Sequence, residues 1–245
     1  RLLLFVAEAI SSFLPGDLRA DVHDQVLATT IRLSRETQDA DAWRSYTRAF
    51  IAEFAARGGD EYEATVRSFA ASDNPDIAWR ARRALAARGL VDAGAIEAWR
   101  SADGSGEAAR MSVEALASLP IEEARRHAWE SVYSETLSND FLTATLAGLQ
   151  ASSWEGEPGI EAAVDRLRSY WESHTIGMAL RYANGVLAYG LDIDRDGSVS
   201  RSVGLLRSWL DTNSDAPAQL RRIVIEHLDA FERDERVQRR WKQDQ

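Results

Sequence analysis

Four histidines, His23, His127, His174 and His227, supply all the imidazole in the chain, so any neutral-pH base or nitrogen ligand for a metal must come from them. A zinc peptidase helix needs two histidines four residues apart with a glutamate between them, and no two of these histidines lie near one another in sequence. His227 falls on the apolar stripe Leu220, Ile223, Val224, Leu228 and Phe231 and is expected at the margin of a core. His23, His127 and His174 have polar neighbours and are expected at the surface. There is no cysteine, which excludes thiolate nucleophiles, disulfides and cysteine-based zinc sites and leads us to expect a reducing, cytoplasmic location. Lys242, the single lysine, lies at the end of the chain and leaves no room for a catalytic lysine. Gly104-Ser105-Gly106 lacks the strand and the full Gly-x-Ser-x-Gly spacing of a nucleophile elbow, so Ser105 is expected to cap a helix.

Asp192, Asp194, Asp196 and Gly197 copy the first half of an EF-hand loop, with hard oxygen ligands at positions 1, 3 and 5 and a glycine at the turn. The bidentate glutamate that closes such a shell at position 12 is replaced by Val203, and Ser200 is a weak ligand at position 9. A polar loop between helices, with Gly197 in its turn, accounts for the same residues. No catalytic, cofactor-binding or metal-ligating residue is therefore assigned to this chain.

The formal net charge of -10 repels a phosphate backbone, so no nucleic acid is expected as a partner. No run reaches the roughly 18 apolar residues of a membrane span, so no membrane partner is expected either. The opening LLLFVAEAISSFLPG carries Glu8 and helical spacing of Leu3, Val6, Ala7 and Ile10, which predicts a core-facing helix in place of a signal peptide. Eight tryptophans are many for this length; Trp79, Trp99 and Trp129 are expected to fill gaps between helices, with a peptide groove as the other use. Arg80, Arg82, Arg83, Glu122 and Glu123 are expected on solvated faces, and the charged tail from Glu232 is expected as a helix anchored by Val237 and Trp241.

Apolar residues recur at helical spacing nearly throughout, as in Ala108, Met111, Ala115, Leu116 and Leu119, while strand-like alternation is missing. Starts are marked at Asp17, Asp41, Asn74-Pro75, Ser105, Pro120, Ser138-Asn139, Ser200 and Asp215, and stops at Gly58-Gly59, Gly89 and Gly190. About a dozen helices follow, and pair starts near residues 75, 106, 138, 175 and 215 repeat at solenoid-like intervals. The expected fold is all-α, a HEAT/armadillo-like α-solenoid of stacked antiparallel helix pairs, as a single domain over residues 1–245. Beginning at Arg1 inside a helical pattern, the sequence is expected to be part of a longer chain.

From Asp73 to Gln150 one order of marks stands out: Trp79 ahead of LAARG, Ile96, the stretch Gly106 to Ala115, Leu119-Pro120, Glu123-Ala124, Ala128-Trp129, then LSN and AGLQ. This order resembles the C-terminal helical domain of bacterial M1 zinc aminopeptidases of the aminopeptidase N type. The zinc motif and the Gly-Ala-Met-Glu-Asn exopeptidase motif of that family belong to a catalytic domain upstream of the matched region, and neither occurs here. The resemblance thus implies a non-catalytic domain that caps the cavity of its own upstream catalytic domain and helps restrict and position the peptide substrate. It also places the zinc in that other domain. The rival expectation is a free-standing helical-repeat scaffold that binds a protein or peptide on its concave face.

Overall fold

A computed structural model describes residues 2–14, 16–134, 137–151, 160–188 and 199–243. Among the described residues all regular structure is α-helical, as the periodicity requires. The candidate calcium ligands Asp192, Asp194, Asp196 and Gly197 lie outside the described residues. No helix among those described is long and apolar enough to cross a membrane. Two compact units are distinguished, Asp21–Glu157 and Arg1–Ala20 with Pro158–Gln245.

The unit Asp21–Glu157 contains most of α2 (Gly16–Glu36) and then α3 (Ala40–Arg57), α4 (Asp60–Ala70), α5 (Pro75–Ala87), α6 (Ala93–Ala102), α7 (Gly106–Ala117), α8 (Glu122–Val132) and α9 (Asn139–Ala151). Its packing follows chain order. The odd helices form a row in which α3 touches α5, α5 touches α7, and α7 touches α9, and each of α4, α6 and α8 leans on the odd helix that follows it. Short helix pairs cannot cover their own apolar stripes, and this stacking does it for them. The first core groups Leu27, Ile31, Phe50, Ile51 and Phe54 with Ile77 and Leu85, and the next joins Ala86, Ile96, Ala115 and Leu119.

The punctuation that separates these helices is local chemistry. Asn74 accepts from the backbone N–H of Ile77 at 3.3 Å with Pro75 at the first helical position, and Ser105 accepts from Ala108 at 3.1 Å. Asp92, which the sequence reading passed over, caps α6 through Ala95 at 2.8 Å. At α3 the cap is Asp39 and not Asp41, because Asp39 is extended and reaches both Asp41 and Ala42 N–H groups at 2.9 and 2.7 Å. Gly58 and Gly59 have φ of 85° and 120°, and Gly89 has 67°, conformations that any side chain would strain.

The other unit contains α1 (Leu2–Phe13), α10 (Ile160–Asp165), α11 (Leu167–Ser173), α12 (Ile176–Ala188), α13 (Val199–Thr212) and α14 (Ala218–Gln243). Its contacts run from α14 to α1, α12 and α13, and from α10 to α11, α12 and α13, so distant segments meet directly. Ile10 on α1 is buried, in keeping with a core-facing helix. The anchor of the tail differs from expectation in part: Val237 is half-buried. Trp241 is 47% exposed, while Gln238 is buried and donates from its amide nitrogen to the Ser12 carbonyl at 2.8 Å. A buried amide with a partner from the other end of the sequence leaves no apolar mark in the tail. On the exposed face of α13, a Cβ added at Gly204 would meet nothing within 4 Å. Gly204→Ala is expected to stabilise this unit by about 0.5–1 kcal/mol, read as a higher urea midpoint, because alanine restricts the unfolded chain and favours the helix.

Candidate functional site

The four histidines serve different local roles. His127 is exposed on α8, as expected. His23 is not a surface group: its Nδ1 lies 2.5 Å from Oε2 of Glu53, a carboxylate buried on α3. His174 is half-buried, with its ring stacked on Tyr170 at 3.7 Å between centroids, and Tyr170 in turn stacks on Tyr182 at 4.0 Å. Polar sequence neighbours misled at both positions, because the partner of His23 comes from another helix and that of His174 from one turn back. His227 sits at the core margin on α14 as expected, near Phe231.

Burial holds the imidazole of His227 below its usual value. The unfolded chain therefore takes up this proton at a higher pH than the folded one. The contribution to stability is complete above about pH 6.5, the unfolded value, and is lost as pH falls through the folded value. In urea titrations over that range, His227→Leu is expected to lose less stability on acidification than the parent chain.

No group of three or more histidine, cysteine, aspartate or glutamate side chains among the described residues could hold a metal ion. What the segment from Asp73 to Gln150 does assemble is an ordered set of polar and aromatic ties between helices. Trp79 on α5 is 1% exposed, packs on Ala108 and Met111 of α7 and on Trp99 of α6, and donates its indole N–H to Asp103 at 3.3 Å. Hydrogen bonds from Ser105 and then Trp79 hold the Asp103 carboxyl below the usual carboxylate range.

The arginines expected on a solvated face are drawn into this set. The Arg82 guanidinium lies 4.8 Å from the Trp79 ring and 5.3 Å from the Trp99 ring, and its Nε donates to the Ala70 carbonyl at 3.0 Å. Arg83 pairs with Glu114, a carboxylate buried on α7 that also has Arg110 at 3.7 Å. Only Arg80 keeps a surface pairing, with Asp76 at 2.9 Å. Guanidinium groups stack and hydrogen-bond while partly buried, so a run of arginines does not by itself report solvent. Arg125 on α8 was missed altogether: it is 1% exposed and donates to the Leu149 carbonyl of α9 at 3.3 Å. Glu122 and Glu123 remain exposed, as expected.

Beside this set an apolar groove of about 390 Å³ opens along α7, the turn at Leu119–Ile121 and α8. Leu116, Ala117, Ala124 and Ala128 form its walls, and Glu123 and His127 lie along it on α8. Of the three tryptophans, Trp79 and Trp129 are core residues and Trp99 is half-buried against Trp79, and none of them lines this groove.

No protein-family model matches the chain, and no curated protein is significantly similar to it in sequence.

Proposed function

We propose that this chain is the C-terminal helical domain of a bacterial M1-type zinc aminopeptidase, non-catalytic in itself. Its task in that reading is to close over the cavity of the catalytic domain, so that only short peptides enter, and to offer one wall against which they are positioned. The parent enzyme would release N-terminal amino acids through a zinc-activated water, with the zinc held in its catalytic domain. The observation that carries the reading is the order of marks from Trp79 to Gln150. Those marks coincide with the continuous row α5, α7 and α9 and its flanking helices: Trp79, Ile96, Leu119, Ala128 and Trp129 are buried at helix contacts, and Gly148 lets α9 lie against α7.

The test is the reading frame preceding Arg1. A His-Glu-x-x-His motif upstream in the same frame supports the proposal, and its absence from the frame sinks it. A second, independent measurement follows hydrolysis of an aminoacyl chromogenic substrate by the isolated 245 residues; chelator-sensitive release would overturn the non-catalytic assignment. The open apolar groove favours a second reading, a helical-repeat scaffold that binds a partner peptide, and a frame that begins at Arg1 would support it.

A further inference from the structure

We infer that the groove between α7 and α8 is a binding site for a small apolar cation, an aromatic or short aliphatic body carrying an ammonium group. The inference stands on the groove and not on the aminopeptidase reading. At about 390 Å³ the space is within the range of small-molecule pockets, and its walls are the side chains of Val113, Leu116, Ala124 and Ala128. Ile121 at its lip is 49% exposed, one of few large apolar side chains so open to water among the described residues, and an apolar body laid in the groove would cover it.

The sign of the charge follows from the two hydroxyls and Glu123; His127, one turn beyond Glu123 on α8, is the other polar side chain of the lining. The two hydroxyls along the groove are committed to their own helices, Ser131 donating to the Ala128 carbonyl at 2.8 Å and Thr145 to the Phe141 carbonyl at 2.8 Å. Neither has a proton left to hold an anion. The start of α8, where backbone N–H groups would attract an anion, already carries Glu122 and Glu123. Glu123 lines the groove, and its carboxylate has no ion pair among the described residues. Some first-turn acids elsewhere are paired, Glu63 with Arg67, Asp76 with Arg80 and Glu107 with Arg110, while Asp60 and Glu61 at the start of α4 stand, like Glu123, without an ion pair among the described residues; Glu123 differs from those two in lining the groove. An ammonium on the ligand supplies the charge that Glu123 lacks.

Three probes with one apolar body separate the possibilities: phenethylamine, 2-phenylethanol and 3-phenylpropionate, titrated into the 245-residue chain and followed by methyl NMR. Shifts are expected at Ile121, Leu116 and Ala124, with the amine bound about two- to fivefold more tightly than the alcohol and the carboxylate weakest, as one exposed ion pair allows. Glu123→Gln should bring the amine to the level of the alcohol, and Ile121→Ser should weaken all three. Both positions are exposed, so unchanged thermal melting verifies that the variants fold. Equal binding of the three probes, an amine preference that survives Glu123→Gln, shifts outside the groove, or no binding at all would each overturn the inference. None of these outcomes touches the reading frame upstream, so the aminopeptidase proposal fails or stands separately.

Discussion

Trp79→Ala is expected to destabilise the unit Asp21–Glu157 by about 3–5 kcal/mol, a large part of what a domain of this size has to lose. Three separate losses combine. The indole is 1% exposed, and its removal opens a cavity among Ala108, Met111 and Trp99 that backbone-bound helices cannot collapse to fill. Arg82 keeps only one of its two aromatic faces, while its guanidinium stays tethered to the Ala70 carbonyl. Asp103 loses the indole donor at 3.3 Å that links the end of α6 to α5. Trp79→Phe separates these terms: it keeps most of the apolar contact and removes the N–H, and about 1–2 kcal/mol is expected. Urea unfolding followed through a probe within this unit checks both. A Trp79→Ala loss below that of Trp79→Phe would show that the cavity is not the dominant cost.

Periodicity and punctuation made the helices legible. Asn74-Pro75, Ser105 and Gly89 each announce a boundary through chemistry that acts within three or four residues, which a sequence displays directly. Partnerships between helices were far less legible. Glu53 and Glu114 look like surface acids in sequence, yet both are buried because His23 and Arg83 arrive from helices about thirty residues away. Arg125 looks like its neighbour Arg126, yet Arg125 is buried and reaches the Leu149 carbonyl while Arg126 is exposed. Gln238 gives the same lesson over a longer span, since its partner Ser12 lies near the other end of the chain. Such contacts satisfy polar groups that the core has taken from water, and hydrophobic spacing holds no record of them. The groove was legible only as the alternative use of the tryptophans. It lies along α7, the turn at Leu119–Ile121 and α8, and Trp79, Trp99 and Trp129, expected first as core and only alternatively in a groove, do not line it.

Gly148→Ala is expected to be costly for a different reason, and it tests a close approach of two helices in the row. A Cβ built at Gly148 would stand 2.2 Å from the Glu114 carbonyl oxygen and 2.7 Å from the Ala117 Cβ, so the obstacle is backbone and a short side chain of α7. Neither can rotate away; α9 must move off α7 instead. That movement would strain the donation from Arg125 to the Leu149 carbonyl and the pairing of the buried Glu114 with Arg83. In an open helix the same substitution gains up to about 1 kcal/mol, as expected at Gly204. Overpacking of a fixed interface costs about 1–3 kcal/mol and occasionally more, so the sign at Gly148 is set by contact and not by propensity. Gly148→Ala should therefore lower the urea midpoint of the unit Asp21–Glu157, and Gly148→Leu should prevent its folding. A neutral or stabilising Gly148→Ala would mean that α7 and α9 slide apart freely, and that their close contact does not hold the row from α5 to α9 together.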